Sequence, residues 1–491
     1  RLVSESYYAL GEPCVLAEGY ASFERVYNEQ DLVAAERYLG TAGEAVRRTT
    51  GVATVQRAYD ENKRLVREDY LDEAGNPVRN TSGCAALLRD YDENGRQTGE
   101  SYLDEAGQPV IISSGYASWN REYDARGNVI REVYLDGNGE KIPTATGYDE
   151  VLRAYDRHNW LLKEEYRLDG VAVDRTDGGY ACLTRTYDEA GNIVMESYQD
   201  AAGNPVIRNT GYAAAARRYN AKRQLILESY LDAEGEPMVI PSGYASVERE
   251  YDRVGNIVLE RYLDVEGQPV ARVDGIAEIH RRYTGLRQLA EEWYLGSDGA
   301  LIACTSGYAG FSRDYDERNN MVREAYYGTD EAPFTLGAGY AQILRNYNAR
   351  CQGVKEEYLD ADGARTRNIN GFSAMVSDYT TGGLLLKRSF LDEEDALICR
   401  DSGYATLVEA WNDRNQLARE DYLDESGAPV ALSSGIYGFT REYDARGNVI
   451  RETHLGADGG EALNRSGYSE IRREYGDQSQ LIRESYYALG E

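Results

Sequence analysis

Residues 115–146 read "GYASWNREYDARGNVIREVYLDGNGEKIPTAT", and the pattern returns every 32 residues along the chain. With Gly115 as slot 1, fourteen full units span 19–466, each opening on a glycine from Gly19 to Gly435. Residues 1–18 are the back half of an earlier unit, and 467–491 the front of a later one. A fixed period of this length overrides the several-domain expectation from 491 residues and predicts a single repeat array over 1–491.

Both halves of the unit alternate with period two, as strands do. In "ASWNREY", Ala117, Trp119, Arg121 and Tyr123 share one side; in "VIREVYL", Ile130, Glu132 and Tyr134 do. For these sets to face the same way, the first hairpin loop must have even length, two or four residues, with a positive φ at Gly127. The second loop must be odd, a three-residue turn ending in Gly139. Prolines such as Pro77, Pro109 and Pro205 then open a short third strand, where a missing N–H is tolerable. One such unit buries too little apolar surface to stand alone, so it must stack on its neighbours. The expected fold is all-β: tandem 32-residue β-hairpin or meander repeats forming an elongated solenoid or spiralling antiparallel sheet.

Slot 7 is Arg in 13 of 15 units and slot 18 is Glu in 14 of 15. The even-loop register sets Arg121 against Glu132, Arg153 against Glu164 and Arg185 against Glu196 as cross-strand pairs. One stretch departs: Ser377 and Arg388 fill these slots, followed by Glu409 and Glu420. Within units this strands Arg388 and sets Glu409 against Glu420, but between units Arg388 and Glu409 are complementary. Slot 18 is therefore expected to touch slot 7 of the next unit, giving a continuous ladder. Such a ladder fixes register more surely than it stabilises. Acid–base catalysis would need a second free carboxylate and a cleft, so these groups read as struts.

Aromatic residues hold two further slots: Tyr123, Tyr155 and Tyr187 at slot 9, and Tyr134, Tyr166 and Tyr198 at slot 20. Alternation with aliphatic residues on one strand face marks them as core. The rival reading is a platform for sugars or choline-like cations.

The composition narrows the function classes. Against 84 Asp+Glu stand 54 Lys+Arg, a net charge of −30, which repels nucleic acid and anionic membranes. No apolar run is long enough to span a bilayer. The chain opens on Arg1 without a signal segment and is expected to be a piece of something longer. Six cysteines and three histidines fall at unrelated slots, and no nucleophile–base pair, phosphate loop or metal spacing recurs. No catalytic, cofactor or metal residue is expected. "ESYYALGE" occurs at 5–12 and again at 484–491, suggesting head-to-tail joining of copies or a longer superperiod.

The recurring "YD..GN" (Tyr123-Asp124…Gly127-Asn128; Tyr187-Asp188…Gly191-Asn192), followed by "YLD..G.P", resembles the YD/RHS repeat family over nearly the whole chain. That resemblance implies a spiralling antiparallel sheet on a surface protein or secreted toxin, sometimes closed into a shell. The strict period, the slot 7 Arg and the "GYA" opening are departures from the family, and no shell-closing cleavage motif is evident. A looser likeness to the aromatic hairpin repeats of bacterial cell-wall-binding proteins implies a multivalent glycan or wall-polymer binding module. The expectation is a non-enzymatic, extracellular or cell-surface scaffold: a bacterial stalk or fibre segment that self-associates. The alternatives are that binding module and a segment of an RHS-like toxin shell.

Overall fold

The computed structural model describes residues 4–6, 8–9, 12–13, 18–40, 43–444, 446–475 and 481–489. Tyr7, Leu10, Gly11 and Cys14 at one end, and Gly490 and Glu491 at the other, lie outside the described residues, and with them parts of both copies of "ESYYALGE". By its internal contacts the chain divides into two compact units, Arg1–Val247 and Glu248–Glu491.

In the first unit, the quoted stretch forms β1 (Ser118–Tyr123) and β2 (Val129–Leu135), and its successor forms β3 (Glu150–Tyr155) and β4 (Leu161–Leu168). Each strand pairs antiparallel with the next. Within a hairpin Trp119 faces Tyr134 and Arg121 faces Glu132; between hairpins the contact is shorter, Arg131 to Leu152, Glu132 to Val151 and Val133 to Glu150.

The first loop is not even. Asp124 N–H donates to the Asn128 carbonyl (2.9 Å) and Gly127 N–H to the Asp124 carbonyl (3.1 Å), closing a three-residue turn. Parity is restored by a β-bulge: Glu122 faces Arg131 but Tyr123 faces Val129, so Ile130 has no partner. The second turn is the expected one, with Asp136 N–H on the Glu140 carbonyl (2.8 Å) and Gly139 N–H on the Asp136 carbonyl (3.2 Å). A third turn of the same form joins one repeat to the next, with Gly147 N–H on the Thr144 carbonyl at 2.9 Å. Asp124 and Asp136 recur because each carboxylate accepts two loop N–H groups, those of Arg126 and Asn128 and those of Asn138 and Glu140.

The expected third strand shrinks to a single bridge, Leu135 to Lys141, and one further bond from Ile142 N–H to the Tyr134 carbonyl (3.1 Å). Among the described residues it is a strand at Glu12–Pro13, paired with Tyr8–Ala9, and at Val171–Ala172, where Asp169 and Gly170 make a two-residue turn. Elsewhere the segment leaves the sheet and folds back over the tyrosine side, bonding to its counterpart in the preceding repeat through Ala145 N–H and the Ser114 carbonyl (2.7 Å). Gly115 permits that approach, since a Cβ there would sit 2.6 Å from Ala145 N. The core is the layer enclosed between sheet and segment, including Tyr102, Ile112, Trp119, Tyr134, Val151 and Tyr166. The alanine of "GYA" is buried in this layer, as Ala117 and Ala181 show.

The second unit is built the same way. Among its strands are β5 (Glu278–Tyr283), β6 (Leu289–Leu295), β7 (Gly310–Tyr315), β8 (Met321–Tyr327), β9 (Ala374–Tyr379), β10 (Leu385–Leu391), β11 (Thr406–Trp411) and β12 (Leu417–Leu423). Among the described residues no helix is long and apolar enough to cross a membrane.

Candidate functional site

In the regular repeats, three side chains converge on the tyrosine face. Arg121 Nε lies 2.5 Å from Glu132 Oε2, Arg153 Nε 2.6 Å from Glu164, and Arg185 Nε 2.7 Å from Glu196. The other carboxylate oxygen accepts the slot 20 phenol: Tyr134 on Glu132, Tyr166 on Glu164, and Tyr198 on Glu196 at 2.5 Å. Each glutamate thus sits between a guanidinium and a phenol. Burial raises the Glu196 carboxyl, but hydrogen bonds from Tyr198 and Arg185 outweigh it and leave the group below the usual carboxylate range. Burial, with Glu132 close by, pushes the Tyr134 phenol far up.

The step between repeats is looser than the expected ladder. Slot 18 stands opposite slot 5 of the next repeat, so the next arginine lies on the diagonal: Arg153 Nη1 is 3.9 Å from Glu132, and Arg345 Nη1 3.9 Å from Glu324.

The slot 20 rings are sealed. Tyr134, Tyr166 and Tyr198 are 8%, 4% and 2% exposed, and slot 2 rings interleave with them. Tyr116 and Tyr134 lie 4.8 Å apart, Tyr134 and Tyr148 5.7 Å, Tyr148 and Tyr166 4.8 Å, and Tyr166 and Tyr180 5.9 Å between ring centroids. The slot 9 rings Tyr123, Tyr155 and Tyr187 are half-buried. Tyr123 donates to the Gln97 carbonyl (2.6 Å) and Tyr187 to the Leu161 carbonyl (2.8 Å). In each case that carbonyl lies two residues past the end of the ladder between repeats. The aromatic exception keeps the bond, as Trp411 Nε1–H donates to the Leu385 carbonyl at 2.6 Å.

At the irregular stretch, Ser377 faces Arg388 across β9 and β10, with Arg388 Nε 3.2 Å from Ser377 Oγ. Slot 20 there is Phe390, not tyrosine. The change fits its neighbour, because a guanidinium cannot accept a bond from a phenol. This coupled change was visible in the sequence and not drawn from it. Arg388 stands opposite Leu407, with Glu409 on the diagonal, and Glu409 faces Glu420 across β11 and β12. Burial and then Glu420 raise the Glu409 carboxyl, with Arg388 opposing.

Three acidic side chains come together in the turn after β10: Asp392, Glu393 and Glu394. Asp392 already accepts the N–H groups of Glu394 and Ala396, and Glu393 pairs with Arg367 at 3.1 Å.

No family model matches the chain, and no curated protein matches it. Solved structures do align. TcdB2-TccC3 without its hypervariable C-terminal region covers 95% of this chain and 25% of its own, at 12% identity and a TM-score of 0.26. TcdB2-TccC3-Cdc42 covers 95% and 27%, at 12% and 0.26. A Photorhabdus luminescens Tc holotoxin pore covers 95% and 28%, at 11% and 0.22. The chain spans about a quarter of the length of these chains. At such TM-scores the alignments carry no argument about activity, and the all-β repeat reading stands on the strands themselves.

Proposed function

We propose that the chain is a non-enzymatic structural scaffold, a segment of a bacterial stalk or fibre at the cell surface or outside the cell, built to associate with further copies of the same repeat. One observation carries this reading: the recurring polar groups are occupied by one another. Glutamate takes arginine and tyrosine, loop aspartate takes the turn, and the slot 9 phenol takes a backbone carbonyl. Groups satisfied in this way hold register and leave no free base or nucleophile in the pattern.

The experiment is electron microscopy of the purified chain with its mass measured in solution. Rods or fibres that lengthen with concentration support the scaffold. A closed shell would favour the second reading, a segment of an RHS-like toxin shell, which the "YD..GN" turns favour. Discrete particles of neither form would overturn both.

A further inference from the structure

The face of the sheet opposite the core carries small, charged or aliphatic residues in most repeats; slot 19, for example, holds Asp69, Ser101 and Ser197. One place in the second unit differs, and three departures from the pattern meet there. Trp293 fills slot 19, Gly310 fills slot 4 of the next repeat, and Tyr327 replaces the usual slot 21 leucine. They stand in one row across β5–β8: His280 opposite Trp293, Trp293 opposite Gly310, and Gly310 opposite Tyr327. The indole lies against the glycine, where any side chain would collide with it. Its ring stacks beside Tyr327, with centroids 5.3 Å apart and planes 30° apart. Trp293 lies between Glu292 and Tyr294, whose side chains point into the core, so its own ring projects from the other face.

The rim of this aromatic pair is polar. Arg323 directs one Nη to the Tyr327 hydroxyl (3.3 Å) and the other to Ser312 Oγ (3.3 Å), and those two hydroxyls are 3.0 Å apart. On the other side the His280 ring, nearly half exposed, is held by Glu278 at 2.6 Å.

We propose that Trp293 and Tyr327 form a saccharide-binding platform. The outer face of this stacked, half-buried pair offers an apolar surface to the C–H face of a pyranose, while the guanidinium and hydroxyls at the edge meet its hydroxyl groups. This site is independent of the scaffold reading, and neither the recurring tyrosines nor the Arg–Glu pairs enter it.

The test titrates the intact chain with cellohexaose and, separately, with hexagalacturonate, followed by tryptophan fluorescence and calorimetry. Binding of cellohexaose is expected, with W293A weakening it about tenfold or more. G310A, which displaces the indole, should weaken binding in the same direction, while W293F should retain part of it. Circular dichroism of each variant separates lost binding from lost fold. Binding of hexagalacturonate in its place, abolished by R323Q, keeps the site and assigns it to acidic sugars. No binding of either probe at about 10 mM, or binding unchanged by W293A, overturns the proposal.

Discussion

Residues 115–178 and residues 371–434 use the same slots for different chemistry. In the former, a carboxylate sits between a guanidinium and a phenol, as at Glu132, Arg121 and Tyr134. In the latter, Arg388 holds the central slot, facing Ser377 across the strand, and Phe390 replaces the tyrosine. The central charge shapes its neighbours: an acceptor gathers two donors, whereas a donor offers the slot 20 O–H no acceptor and makes a second arginine unfavourable. The mismatch then moves one repeat along, where Glu409 meets Glu420.

The largest expected difference between the regions comes from removing the central carboxylate. E132A strands the half-buried Arg121 and the buried Tyr134 hydroxyl and should cost about 3–5 kcal/mol in urea unfolding. E420A relieves Glu409 while losing its own contact with Tyr422, and should cost much less. Equal losses would break the comparison.

Acid should act on the two regions with opposite sign. The Glu196 carboxyl is lowered from 4.5, so its contribution is present above that pH and is lost as pH falls through the lowered value. The Glu409 carboxyl is raised from 4.5, so its ionisation weakens the fold as pH rises through the raised value. Unfolding midpoints of E409Q and E196Q across pH 3–7 should therefore diverge from the parent in opposite directions, with E409Q gaining up to about 1 kcal/mol near neutrality.

Smaller effects test the slot 9 staple and the turns. Y123F and W411F each delete one donor to a backbone carbonyl and should each cost about 1 kcal/mol. Equal losses would show that the phenol and the indole do the same work. At slot 13, Gly127 has φ 89° and Lys63 has φ 65°. G127A should therefore destabilise by about 1 kcal/mol, and K63G should gain a few tenths, both read as shifts in thermal midpoint.

Much of this architecture was legible from period and side-chain alternation: the strands, the second turn and the facing of Arg121 by Glu132. The first turn was misread for a definite reason. An odd loop with a one-residue bulge at Ile130 gives the same side-chain parity as an even loop, so alternation cannot tell them apart. The slot 18 to slot 5 register between repeats escaped because either register places both residues on one face. The platform residues Trp293, Gly310 and Tyr327 look like isolated irregularities in the sequence and become one feature only when the strands align.

Where the slot 9 side chain donates to a backbone carbonyl, it reaches backwards. Tyr59 bonds Val33, Tyr91 bonds Leu65 and Tyr123 bonds Gln97, each time to a carbonyl 26 residues earlier. A newly synthesised repeat therefore finds this one anchor already made. Assembly can proceed like laying bricks in one direction, keeping pace with translation, with only the most recent course unset.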